Sequence, residues 1–279
     1  MIQTSKTVAA RFFTERFFDQ AAQTAYYFLL SFVPFIIFLF SLLSFFPIDT
    51  NNLLVFIEPF TPKSAYDVIE RSIETVNNSG KKVLSFSLLA TFWLASMAIQ
   101  SLVRSLNDAY HIQRKQTFLR GLINDLILTF GFMVVVAISL FVPIIEEVIR
   151  HLVLTKVQVP DIWFQSWTTI RWGIGTLFLL GFFILFYKLM PSARVTWKDI
   201  LPGAVFSTLG WQVVSTGFGY YVQFGSYSQI YGQLGSIIIL MVWFYLTAAI
   251  LLIGGLINGN KFIKTYRNTN SNVRNDGDK

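Results

Sequence analysis

Two histidines, fifteen Asp and Glu residues and no cysteine are all that the chain offers for hydrolytic or metal chemistry. General acid–base catalysis needs such groups within hydrogen-bond reach of one reacting centre, and a nucleophile needs an adjacent base. The one mixed set at close sequence spacing is Asn107, Asp108, His111 and Asp125. A capped helix end with solvated charges accounts for it, and His151 falls on the other side of the membrane in the topology derived below. The run Gly254-Gly255-Leu256-Ile257-Asn258-Gly259-Asn260-Lys261 imitates a phosphate-binding loop. That loop requires lysine directly after its second glycine and a strand before it. Asn260 intervenes here and an apolar helix precedes, so Gly255 and Gly259 read as a small-residue contact between helices. Without cysteine there is no disulfide, thiol nucleophile or thiolate metal site. The expectation is a protein with no catalytic site, no metal and no cofactor.

The remaining polar chemistry suits a path rather than a reaction. Pro34 interrupts an apolar stretch, removing one backbone donor and freeing the carbonyl of Leu30; it reads as a structural kink or as a gate. Asn107 and Arg114 could receive an anionic head group, because a guanidinium fork binds phosphate oxygens bidentately. Arg114 serves equally as a topology anchor. Residues 217–235 are uncharged and combine Gly217, Gly219 and Gly232 with Tyr227 and Tyr231. Glycine permits close packing or irregular backbone, and tyrosine pairs an apolar body with a polar tip. Either re-entrant structure lining a cavity or an aromatic belt with tight turns fits this segment.

The elements that must position these residues are membrane helices. Apolar residues make up 54% of the chain and charged residues only 13%, with 29 phenylalanines. Soluble domains carry about 25% charged residues. A spanning helix needs about 20 apolar residues. Six windows lack Lys, Arg, Asp and Glu: 25–46, 83–103, 126–145, 172–187 (extended to 170–189), 201–222 and 236–257. Most of the 22 Lys and Arg residues fall in the N-terminus, the second and fourth loops and the C-terminus. The positive-inside rule then places both termini in the cytoplasm, and the net charge of +7 largely records topology. The predicted fold is all-α and polytopic, with residues 25–258 forming a six-helix membrane domain. Residues 1–24 precede it as an amphipathic segment, in which 5–24 read as one helix with a stripe of Arg11, Glu15 and Asp19, either lying in the inner interface or extending the first spanning helix. In the first outer loop, Thr61 before Pro62 opens a short extracytoplasmic helix. Trp163, Trp167 and Trp172 suit the outer headgroup belt, and residues 259–279 read as a cytoplasmic polar tail.

Several of these residues carry a resemblance. The stretch from Ala25 through Tyr26, Tyr27 and Ser31 to Pro34 resembles the opening signature of the YihY/BrkB family, once labelled ribonuclease BN. Ser105-Leu106-Asn107-Asp108-Ala109-Tyr110 with Arg114 is similar to its second-loop motif. Tyr187-Lys188-Leu189-Met190-Pro191, Pro202-Gly203-Ala204, Tyr231-Gly232-Gln233-Leu234-Gly235 and Trp243-Phe244-Tyr245 resemble its later segments. The ordered set covers about residues 22–258. It implies a bacterial inner-membrane protein of six helices, for which the ribonuclease label is a misassignment and transport or lipid handling is the customary suggestion. Many members carry an acidic residue in a Gly-Ala-Glu-Leu-Asn stretch near the end of the sixth helix. This chain has Leu256 at that position, so ion coupling through that group is not carried over.

Three functions follow as expectations. The first is transport or translocation of a lipid-like or other small amphipathic substrate, and the second a non-transporting scaffold or envelope-assembly partner. The third, an enzyme such as a ribonuclease, has no catalytic constellation behind it. Expected partners are membrane lipids, with homo-oligomers or other envelope proteins possible and no nucleic acid, because the basic residues are scattered over short segments without a binding module.

Overall fold

A computed structural model describes residues 2–43, 81–113, 119–135, 161–192, 195–224 and 234–277. Every regular element among them is an α-helix. In chain order these are α1 (Ile2–Thr14), α2 (Phe17–Leu43), α3 (Lys81–Ala109), α4 (119–135), α5 (Asp161–Leu189), α6 (Trp197–Phe224) and α7 (Leu234–Gly277). The chain is all-α, as its apolar windows predict. Among the described residues three helical segments are long and apolar enough to cross a membrane: Leu88–Ala109, Trp172–Leu189 and Ile237–Tyr266. The expected short helix of the first outer loop and the outer half of the third window lie outside the described residues.

Three boundaries differ from expectation. The single amphipathic helix over 5–24 is broken at Glu15–Arg16, where Arg16 takes φ 60°. A left-handed non-glycine residue ends a helix, and Arg16 pairs with Asp19 at 2.7 Å inside the next one. The helix carrying the fourth window begins at Asp161, so Trp163 and Trp167 belong to α5, ahead of its apolar segment Trp172–Leu189, rather than to a loop. The polar tail is helical as far as Gly277. Phe262 and Tyr266, one turn apart, stack at 6.3 Å and extend the helix past the apolar window.

The chain divides into two compact units. One comprises residues 16–102 and 213–249. Within it, Ala21 and Ala25 on α2 are fully buried and Thr24 Oγ1 lies 2.9 Å from Ser101 Oγ of α3. Small residues with a hydroxyl pair are a usual way for membrane helices to approach closely. Phe28 and Phe32 pack against Phe244 of α7 at 5.7 and 5.8 Å. The other unit comprises residues 1–15, 103–212 and 250–279. Its core holds Leu106, Tyr187, Ile200, Ala204, Leu252 and Leu256, all without exposed surface. Phe132 of α4 closes edge-on against Phe182 and Phe186 of α5.

Candidate functional site

The second unit contains both places where polar groups gather, and they differ in kind. The first is a joint between helix ends. Helix α3 finishes in a Schellman turn: His111 N–H donates to the Asp108 carbonyl at 3.0 Å and Ile112 N–H to the Asn107 carbonyl at 2.9 Å. His111 occupies the left-handed position of that turn, φ 54°, where glycine is usual. The Arg11 guanidinium then caps the same end. It donates to the Ala109 carbonyl at 3.1 Å, to Asn260 Oδ1 at 2.5 Å and to both carboxylate oxygens of Glu15 at 2.7 and 2.9 Å. Arg11 Nη2 also lies 2.6 Å from His111 Nε2. The Arg11 hydrogen bonds hold the Glu15 carboxyl below its usual value of 4.5, against a smaller opposing effect of burial. With Val8 and Phe12 buried beside Arg11, α1 is docked on protein by the face that carries them.

Helix α6 enters the joint through its own cap. Thr196 and Asp199 form a capping box, with Thr196 Oγ1 donating to Asp199 Oδ2 at 2.5 Å and its N–H at 3.3 Å. Pro202 then removes the N–H that would serve the Lys198 carbonyl, and the Lys261 ammonium of α7 donates to that carbonyl instead. One residue on, Gly203 N–H donates to Asn258 Oδ1 at 2.7 Å. A Cβ at Gly203 would overlap the Gly254 carbonyl oxygen, and one at Gly259 would overlap the Ala109 carbonyl. At Gly254 it would strike the Ser207 and Tyr187 hydroxyls. These glycines therefore bring backbones together, and they uncover the carbonyls one turn back. Tyr187 Oη donates to the Leu251 carbonyl at 2.8 Å while sitting 2.6 Å from Ser207 Oγ. The Tyr110 hydroxyl, in the same buried patch, stays neutral: burial pushes its pKa up first and the Asp199 carboxylate second. Gly255-xxx-Gly259 does act in helix contact, against Leu106 and Ala109.

The second place is a groove of about 300 Å³ between α5 and α6. Trp172, Gly175, Thr176, Phe178 and Leu179 line one wall, with Trp211 and Gln212 on the other. Gln212 Nε2 donates to Thr176 Oγ1 at 3.0 Å, and Thr176 passes its own proton to the Trp172 carbonyl at 2.8 Å. None of the described lining residues is charged.

The residues singled out from sequence fall in both units and partly outside the described residues. Asn107 is buried and its carboxamide is used in both directions by Ser192: Nδ2 donates to Oγ at 3.0 Å and Oδ1 accepts from N–H at 2.8 Å. It ties the end of α3 to the turn after α5. Pro34 lies within α2, and Gly217 and Gly219 lie on exposed, continuous helix of α6 with nothing within 4 Å of a Cβ, all in the other unit. Arg114, Tyr227, Tyr231 and Gly232 lie outside the described residues. Asp125 is buried on α4, His111 faces Arg11, and among the described residues no three His, Asp or Glu side chains gather as metal ligands do. Sequence reasoning missed the Arg11 hub, although Val8 and Phe12 share its helix face. It also missed the capping box, legible as Thr196-x-x-Asp199, and the groove.

The motif stretches around Leu106, Tyr187, Gly203 and Asn258 thus meet in one joint. The profile of the family described as virulence factor BrkB matches residues 8–275. The chain belongs to the BrkB family. The match takes in the buried face of α1, which the motif comparison starting near residue 22 left out. Among BrkB-family relatives, a Bacillus subtilis protein named putative ribonuclease-like protein YfkH is 37% identical over 86% of this chain and 88% of its own length. A UPF0761 membrane protein of Aliivibrio fischeri is 32% identical over 88% of this chain and 79% of its own. One from Tolumonas auensis is 28% identical over 84% and 77%. No solved structure matches. This BrkB-family chain is an integral membrane protein.

Proposed function

We propose that the chain is a six-span protein of the bacterial plasma membrane, with both termini cytoplasmic, that moves a lipid-like amphipathic molecule and is not an enzyme. The groove between α5 and α6 carries this reading. It opens sideways from a helix whose apolar window is only 17% buried, so a tail reaches it from the bilayer without crossing water. Its Thr176–Gln212 pair offers polar atoms along apolar walls, which a tail-bearing substrate needs and a proton relay does not.

A scaffold is the second reading, favoured by the joint, where so many polar groups are spent on holding helices together. Reconstituted vesicles with fluorescent phospholipid separate the two. Wild-type protein should raise the rate at which label crosses the bilayer above that of empty vesicles, and Gly175→Trp, filling the groove, should return it to that baseline. Equal rates for wild type and empty vesicles, with the protein folded and inserted, would leave the scaffold.

A further inference from the structure

The groove has a chemical preference of its own, and deriving it rests on the transport reading only for the identity of what diffuses past. Trp172 follows Arg171 in the sequence, so this end of the α5 apolar window sits at the headgroup level, where tryptophan is enriched. Gly175 and Thr176 lie three and four residues further along, about 5 Å deeper at 1.5 Å per residue. That depth is where the carbonyls joining acyl chains to their backbone reside, between head group and tail. The hydrogen-bond directions then fix what is on offer. Thr176 has given its proton to Trp172, and Gln212 has given one of its two amide protons to Thr176. One Gln212 N–H remains for a neutral acceptor. Among the described lining residues there is no lysine or arginine, so none of them offers an anionic head group a counter-charge. Gly175, with nothing within 4 Å of its Cβ position, leaves room beside the amide.

We infer that the groove binds a membrane lipid by the carbonyl that heads one acyl chain, with Gln212 as the donor, and is indifferent to head-group charge. A donor left without its acceptor in a half-buried groove discriminates against an analogue lacking that group. The probes are dioleoyl phosphatidylcholine, dioleoyl phosphatidylglycerol and the diether analogue of the former, which keeps head group and chains but has no carbonyl. Purified, delipidated protein is given equimolar mixtures, and retained lipid is counted by native mass spectrometry.

The two ester lipids should be retained equally within about twofold, and the ether lipid about five- to tenfold less, the worth of one hydrogen bond. Gln212→Leu should abolish the ester-over-ether difference, and Gly175→Trp should lower retention of all three. If Gln212→Leu does not fold, Gln212→Met, which also removes the amide donor, makes the same test. Equal retention of ester and ether lipid by the wild type overturns the inference. So does a tenfold preference for phosphatidylglycerol, or an ester preference that survives both Gln212→Leu and Gln212→Met. Ester selectivity with no translocation would sink transport and leave the site standing, while translocation without ester selectivity would do the reverse.

Discussion

Glycine serves opposite ends in α5 and in the α6–α7 contact. Gly203, Gly254 and Gly259 have neighbouring backbone or hydroxyls where a Cβ would be, whereas Gly173, Gly175 and Gly181 have nothing within 4 Å. The first set is there because no larger residue fits between crossing helices. The second leaves a helix surface open. The same residue type therefore marks a closed joint and an accessible wall, and only its surroundings tell which.

The sharpest break of this contrast is a single methyl group. Gly203→Ala and Gly259→Ala each press a methyl into a backbone carbonyl, and should lower stability by about 3 kcal/mol or more, since backbone yields less than a side chain. Gly181→Ala should move the other way, gaining up to about 1 kcal/mol from helix propensity. Thermal unfolding in detergent, followed by intrinsic fluorescence, reads both signs. Destabilisation of similar size at Gly181 and Gly203 would erase the distinction.

Next comes Arg11, which makes the joint a polar structure as well as a close-packed one. Arg11→Ala should cost about 1.5–3 kcal/mol, as expected for hydrogen bonds to a charged group, and expose α1 to limited proteolysis. Arg11→Lys should recover less than half, because an ammonium cannot span Glu15, Asn260 and Ala109 with one fixed fork. Full rescue by lysine would reduce the hub to a simple charge contact. The smallest effect belongs to Glu15. Its pKa is lowered in the folded protein, so its contribution is complete above the unfolded value and is lost as pH falls through the lower folded one. The melting-temperature advantage of wild type over Glu15→Gln should be flat from pH 7 to about 5 and close below about pH 4. An advantage that grows on acidification would have the sign wrong.

How much of this could be read beforehand depends on the kind of signal. Charge-free windows and the family motifs were visible because they are one-dimensional patterns. Where Asn107 points was not: a helix-end asparagine can meet a head group or a turn, and Ser192, far along the chain, decides it. By spacing Arg11 groups with Glu15 and Asp19 in one stripe, though its i−3 and i+1 neighbours Val8 and Phe12 mark it as half apolar in company. The end of α3 carries no glycine, so the His111 turn had no sequence flag. The groove left none either, because α5 is apolar on every side and period alone cannot separate its lipid-facing wall from its packed one.

Pro202 has a consequence for how the molecule is made. It leaves the Lys198 carbonyl without its helical donor, and the replacement, Lys261, arrives only with α7. The Leu251 carbonyl that receives Tyr187 comes on that helix too. A chain cut before α7 therefore leaves the Lys198 carbonyl to water and the Tyr187 hydroxyl without its acceptor. Helix α6 reaches its final hydrogen bonding only when α7 docks.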